Sequence, residues 1–310
     1  MVVSGRFIVF HCFALLLLPI FFVGFINRTK ALWAGRKGLP ILQLYFDLVR
    51  LFRKTPVYSE VSTWIFQIAP WIFFGSTLLG AALLPVLPGY APLQFEYDFV
   101  LFAYLLGLGR VFLILSAMDT GSAFEGMGAS REATYAALIE PAFLIALGTL
   151  ALASGHGTFA SLSEALSFSV FGVAAKLALF IALFILLQTE GSRVPVDDPN
   201  THLELTMIHE VMVLDHSGPE LAVIQYSSAL KFAIFSCLIS ALLIPFSVET
   251  SPVAAMIFCL ASCLATSTLV GLVESLIARF RLSAIPRYTF VACVASLISL
   301  VIVLIGGGRV

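Results

Sequence analysis

Residues 188–226 crowd acids, histidines and prolines into a chain that is otherwise largely hydrocarbon. Seven of the eighteen carboxylates (Glu190, Asp197, Asp198, Glu204, Glu210, Asp215 and Glu220) and three of the five histidines (His202, His209 and His216) fall in this stretch. Carboxylates and imidazoles in a partly dry site shift one another's proton affinities and can pass protons onward. A solvated loop with ordinary ion pairs has the same composition. Zinc chemistry is the third option. His202 and His209 stand seven apart, whereas the zincin pattern needs histidines four apart, so no metal site is assigned. Asp198-Pro199 has the form of a helix start, an acceptor at the N-cap followed by proline. The helix is expected to run to about Leu214 and to stop at Ser217-Gly218-Pro219.

The elements that must hold these groups lie in a membrane. The chain is 60% hydrophobic and 11% charged, with a mean hydropathy of +1.04, against roughly 25% charged residues in a globular domain. A net charge of -1 offers no basic face for nucleic acid. Cys12, Cys237, Cys259, Cys263 and Cys293 sit inside apolar runs, with no C-x-x-C pair of the kind that holds zinc or an iron-sulfur cluster. They read as small buried hydrophobes, and the chain is expected to bind no cofactor itself.

Runs of about 20 apolar residues, enough to cross a hydrocarbon core roughly 30 Å thick, occupy 7–26, 63–87, 99–118, 134–153, 168–187, 227–246, 252–277 and 286–305. They predict an all-α integral membrane protein of about eight transmembrane helices, with residues 1–310 forming one domain. The first run lacks a small-residue cleavage site and is followed by Asn27 and Arg28, so it is expected to be retained. Between the first two runs, Gln43, Asp47, Arg50 and Lys54 form one polar stripe on an otherwise apolar segment. That pattern predicts an amphipathic helix in the membrane interface; a surface helix packed on the bundle fits it equally.

Lysine and arginine collect in alternate loops: Arg28, Lys30, Arg36, Lys37, Arg50, Arg53 and Lys54 in the first, Arg131 in the third, Arg193 in the fifth, Arg279 and Arg281 in the seventh. By the positive-inside rule, the loops at about 27–62, 118–133, 188–226 and 278–286 are cytoplasmic and both termini are on the other side. A shared partner surface would account for this asymmetry, as would plain solvation.

Further charges lie outside the 188–226 stretch. Asp119, Glu125, Arg131 and Glu132 cluster among small residues, and Arg110, Glu140, Lys176 and Glu274 fall within spans. A charge at membrane depth costs at least roughly 2.5–3.5 kcal/mol, so each needs a partner or a role. Pairing of Glu140 with Arg110 is the structural answer, and proton relay the functional one. Lys231 and Glu274, near the expected helix ends, are placed to snorkel.

Residues 119–144 (DTGSAFEGMGASREATYAALIEPAFL) closely resemble the integral membrane subunit of group 4 NiFe hydrogenases, of the formate hydrogenlyase and hydrogenase-4 component C type. That family is homologous to the membrane subunit beside the quinone cavity of respiratory complex I. Arg36-Lys37-Gly38 with Leu42-Gln43, Tyr45 and Asp47 is similar to the family's lead-in to its amphipathic helix. Glu190, Arg193, Pro195 and Asp197 stand at the spacing of the complex I motif E-x-x-R-x-P-x-D, and Pro286-Arg287-Tyr288 is similar to the lead-in to the last helix. Asn200 and His202 stand where relatives favour acids, and Val196 where they favour phenylalanine, which alters any proton route there.

The resemblance implies an anchor in the bacterial inner membrane for a cytoplasmic arm. Its hydrogenase large subunit and small, iron-sulfur subunit would hold the NiFe centre and iron-sulfur clusters, with antiporter-like membrane subunits alongside. Arg36, Lys37, Gln43, Asp47 and Arg50 would belong to the docking interface. Asp119, Glu125, Arg131, Glu132, Glu140, Lys176, Glu190, Arg193, Asp197, Asp198, His202, Glu204, His209, Glu210 and Glu274 would couple electron transfer to proton or ion movement. One alternative is a quinone-chamber subunit of an NADH-quinone oxidoreductase, with quinone as ligand. Others are a scaffold whose charged loops only dock partners, and a secondary transporter, for which no internal repeat is evident.

Overall fold

The computed structural model describes residues 5–155, 157–162, 170–198, 207–244 and 251–306. In order, the helices are α1 (Gly5–Leu16), α2 (Leu18–Trp33), α3 (Gln43–Phe52), α4 (Trp64–Leu83), α5 (Asp98–Asp119), α6 (Ala123–Ser154), α7 (Phe159–Leu162), α8 (Val170–Glu190), α9 (His209–Met212), α10 (Gly218–Leu243), α11 (Pro252–Leu276) and α12 (Ile285–Ile305). Seven are long and apolar enough to cross a membrane, and the pair α1 and α2, bent by 45° at its break, supplies the eighth span. Pro19 accounts for the break: it has no amide with which to continue the hydrogen bonds of α1, yet it suits the first turn of α2. The expected all-α membrane architecture is therefore present.

α10 is the central pillar, packing against α2, α3, α4, α8 and α11. Every residue from 229 to 242 is buried, the pattern of a helix apolar all round. Around it, α12 lies on α6 and α8, α4 on α5, and α11 on α2. The amphipathic α3 reconciles both of its expected roles. Leu48 and Leu51 pack on Ala222 of α10, whereas Tyr45, Phe46 and Phe52 stay exposed.

Several boundaries differ from expectation: the first span runs on to Trp33 rather than 26, which puts Arg28 and Lys30 on α2 instead of in a loop, and three others matter for the site. α6 begins at Ala123 rather than 134, so Glu125, Arg131 and Glu132 sit on a helix instead of a loop. One face of this polar, small-residue stretch is covered by protein, with Glu125, Gly128 and Ala129 buried, so it does not need an apolar exterior. α10 begins at Gly218 rather than 227: Ser217 is extended and Pro219 occupies the first turn, so the segment expected to stop one helix starts the next. The helix expected from Asp198 to about Leu214 is not continuous, because Met207 and Ile208 are not helical and only the single turn of α9 follows; residues 199–206 lie outside the described residues.

α9 is held by a notch in α6. A Cβ on Gly128 would come within 2.4 Å of the Val211 side chain and 3.0 Å of the Ile208 carbonyl oxygen, so only glycine admits this contact. By connectivity, α3, α9, the ends of α2, α5, α8 and α11, and the starts of α4, α6, α10 and α12 meet at one end of the bundle. This is the charged end.

Candidate functional site

Three carboxylates converge on Arg110, nine residues from the end of α5. Its Nη1 meets Glu140 at 2.8 Å and its Nε meets Glu132 at 3.5 Å, both from α6. Its Nη2 donates to Glu190, the last residue of α8, whose other oxygen takes Lys231 Nζ of α10 at 2.7 Å. Glu190 therefore bridges two buried cations. Fully ionised, three carboxylates and two cations leave one net negative charge, so the cluster has room for one proton.

Lys231 does not snorkel. Because α10 starts early, the lysine lies thirteen residues from that end, roughly 20 Å along the axis; it is buried, with its Nζ 5.7 Å from the Phe73 ring centroid. Glu274 is buried too, 2.9 Å from Lys30 of α2 and 3.7 Å from Arg193.

A second set lies nearer the surface. Asp197 takes Arg279 Nη2 at 2.8 Å and accepts from the amides of Asp198 (2.9 Å), His209 (2.9 Å) and Ile208 (3.3 Å). One carboxylate thus ties the turn after α8 to the start of α9 and to the lead-in of α12. Burial pushes the Asp197 carboxyl up, against the His209 amide and Arg279. Burial and the Lys231 charge lower His209 to about 4, which keeps its imidazole neutral, 3.2 Å from Ser228 Oγ. Burial and the Asp197 charge raise Glu210 to about 7, with Arg193 opposing. Glu210 is thereby poised to exchange a proton near neutrality.

His209, Glu210 and Arg193 face a cavity of about 280 Å³ between α2, α3 and α10, with Gln43 and Asp47 opposite. One wall depends on Gly24: the Ile41 carbonyl oxygen would lie 2.0 Å from a Cβ there, so the lead-in to α3 presses directly on α2.

The remaining expected site residues have other places. Asp119 caps α4, accepting from the Thr63 amide at 2.7 Å and the Phe66 amide at 3.3 Å. Glu125 accepts the Asp215 amide at 3.0 Å, and Arg131 donates to the Met207 carbonyl at 2.7 Å, so both fasten the flanks of α9 to α6. Lys176 is buried within α8, fourteen residues before Glu190 and roughly 21 Å away along the helix, too far to join the Arg110 cluster. Asp47 pairs with Gln43 and Arg50 on its own helix, each at 3.0 Å, while Arg36 and Lys37 are exposed. Asp198 is half-buried beside Asp197. His202 and Glu204 lie outside the described residues. Arg110 proved central although the sequence suggested it only as a partner for Glu140; Lys231 was expected only to snorkel, and Lys30 and Arg279 only as loop charges. Reading Ser217-Gly218-Pro219 as a helix start would have moved Lys231 to membrane depth and marked it.

The comparisons with known proteins cover nearly the whole chain. A family model described as NADH dehydrogenase matches residues 6–305. Hydrogenase-4 component C of Escherichia coli (strain K12) is 34% identical over 236 residues, 75% of this chain and 73% of that protein. Formate hydrogenlyase subunit 4 of the same strain is 29% identical over 277 residues, 86% and 88% of the two chains. A subunit of the NADH-quinone oxidoreductase of Rubrobacter xylanophilus is 26% identical over 211 residues, 67% of this chain and 62% of that one. The fold is shared with a chain of the membrane-bound sulfane sulfur reductase, an archaeal respiratory membrane complex, at a TM-score of 0.78 and 19% identity, covering 95% of this chain and 98% of that one.

Proposed function

Because the chain belongs to the NADH dehydrogenase family, with hydrogenase-4 component C among its relatives, we propose that it is the membrane anchor and coupling subunit of a complex I-like, multisubunit membrane hydrogenase. The charged end faces the bacterial cytoplasm, as its lysines and arginines favour, and both termini face the other side. It docks the large and small subunits, which hold the NiFe centre and the iron-sulfur clusters. When charge arrives at that face, Glu210 exchanges its proton. His209, which feels Asp197, Lys231 and Glu190, conveys the change in field to the bridge between Lys231 and Arg110. Glu140, half-exposed beside a cleft of about 450 Å³ between α5 and α6, passes it to a neighbouring antiporter-like subunit.

The observation that carries this proposal is the shared carboxylate of Glu190, which joins the loop region to the membrane interior through two cations. The test is hydrogen turnover and proton transport in vesicles holding Glu140→Gln or Asp197→Asn. We expect turnover to persist and transport to fall; if both are unchanged, the coupling role is wrong.

A quinone-chamber role is favoured by the cavity between α2, α3 and α10. At about 280 Å³ it stands just below the usual range for small-molecule sites of roughly 300–1,000 Å³. Quinone reduction by the purified complex would support that second reading, and its absence would remove it.

A further inference from the structure

The half of the bundle away from the charged end contains a sulfur cluster that proton coupling does not use. Cys259 and Cys263, at i and i+4, share one face of α11, and Cys237 of α10 meets them there. All three are fully buried, at 0% exposure. Their sulfurs lie within 4.8 Å of one another, with Cys237 Sγ and Cys263 Sγ 3.8 Å apart. Three sulfurs around one ion at about 2.3 Å in a plane stand about 4 Å apart. The cluster therefore needs little rearrangement to become a coordination shell. We propose that Cys237, Cys259 and Cys263 bind a single thiophilic univalent cation, of the Cu(I) class.

The donor set selects the ion. The three ligands found together are sulfurs, which favour Cu(I) over hard cations. Ligand number selects among thiophilic ions: structural zinc is almost always held by four ligands, whereas three sulfurs stand together here. The bound thiols give up their protons to solvent as the ion enters, because the thiolate is the ligand. What the thiols give up is small: Cys259 Sγ bonds weakly to the Val86 carbonyl at 3.6 Å and meets the Ser240 hydroxyl, and the three thiols otherwise bond to one another. The backbone carrying the ligands is already fixed. Hydroxyls of Ser262, Thr266 and Ser267 donate to the Cys259 and Cys263 carbonyls at 2.8–3.0 Å.

The cluster also lies near a cleft. Cys259 lies seven residues from the start of α11 and Cys237 six from the end of α10, so the cluster is only about 9–11 Å along the helices from the end opposite the charged loops. An open cleft of about 770 Å³ at that end is lined by Phe7, Tyr90, Pro252 and Met256. Met256 precedes Cys259 by three residues on the same helix face. Its thioether is a soft donor placed to receive the ion before the thiols do.

The test uses the purified, complete complex, loaded anaerobically with Cu(I) in the presence of a competing copper(I) chelator. We expect one Cu(I) retained per chain, with a sulfur-only shell at about 2.3 Å by X-ray absorption. Cys259→Ser and Cys263→Ser should weaken retention at least about tenfold, Cys12→Ser and Cys293→Ser should leave it unchanged, and Met256→Leu should slow loading without changing the final amount. The proposal is overturned if the wild-type complex retains no copper, if the shell holds nitrogen or oxygen instead of three sulfurs, or if the Cys259→Ser, Cys263→Ser double variant retains as much as wild type. Should the serine variants fail to assemble, the wild-type X-ray absorption decides alone.

Discussion

The two halves of this bundle hold their helices together by different chemistry. At the charged end, Arg110, Lys231, Lys30, Arg193 and Arg279 draw carboxylates from α6, α8, α11 and the loop after α8 into ion pairs within and beneath the loops. Toward the opposite end, neutral groups reach across: Ser296 of α12 donates to the Ala142 carbonyl at 2.9 Å, Ser299 to the Ala175 carbonyl at 3.1 Å, and His11 meets the Ala81 carbonyl at 2.9 Å. A hydroxyl on a carbonyl has one arrangement and little response to its surroundings. A carboxylate shared by two cations has several, set by where protons sit. The difference places adaptability in one half and rigidity in the other, and buried ion pairs add little to stability on their own account.

The sharpest way to break this contrast is Arg110→Leu, which leaves Glu132, Glu140 and Glu190 with Lys231 as their remaining cation. We expect a loss of about 3–5 kcal/mol, read as a lowered unfolding midpoint of the purified complex. A loss below about 1 kcal/mol would mean that Arg110 does not centre the cluster. Lys231→Met should cost less, about 1–3 kcal/mol, because Glu190 keeps Arg110; an equal loss would mean that the two cations act as one unit.

Glu210 sharpens the comparison through pH. Its affinity is raised from 4.5 to about 7 in the folded protein, so the folded state holds this proton where the unfolded chain has released it. Its contribution is complete below about pH 4.5 and fades as pH rises through about 7. Glu210→Gln should flatten the stability profile across that window, and an unchanged slope would show that Glu210 does not titrate there. The smallest effect belongs to a neutral hydroxyl contact: Ser296→Ala should cost about 1 kcal/mol, with no dependence on pH. A pH-dependent loss would contradict the contrast between hydroxyl contacts and shared carboxylates.

The spans, the amphipathic α3 and the location of the site were legible because hydrocarbon thickness and helical periodicity write themselves into sequence. The pairing of Glu140 with Arg110 was legible for a related reason, since neither charge is tolerated alone at that depth. What stayed hidden depended on helix ends shielded by protein rather than lipid. The polar first turns of α6 read as a loop because their burial comes from α9, at the Gly128 notch and the Glu125 bond. Lys231 passed as a residue near a helix end for the same reason, α10 having its true start at Gly218. The cysteine cluster was missed because its ligands come from two helices at a spacing no single-segment motif describes.

The length of α6 has a mechanical consequence. Its 32 residues make a rod of roughly 48 Å, well over the roughly 30 Å of hydrocarbon. α9 sits in its notch at Gly128, and Pro141, lacking the amide that would bond the Ala137 carbonyl, gives it a joint directly after Glu140. From notch to joint is thirteen residues, a lever arm of about 20 Å. A sideways step of about 1 Å by α9 would turn that arm through about 3° about a pivot beside Glu140, so the notch end moves while Glu140 keeps its place on Arg110. The rod thus lets the cavity floor shift without breaking the ion pairs at its joint.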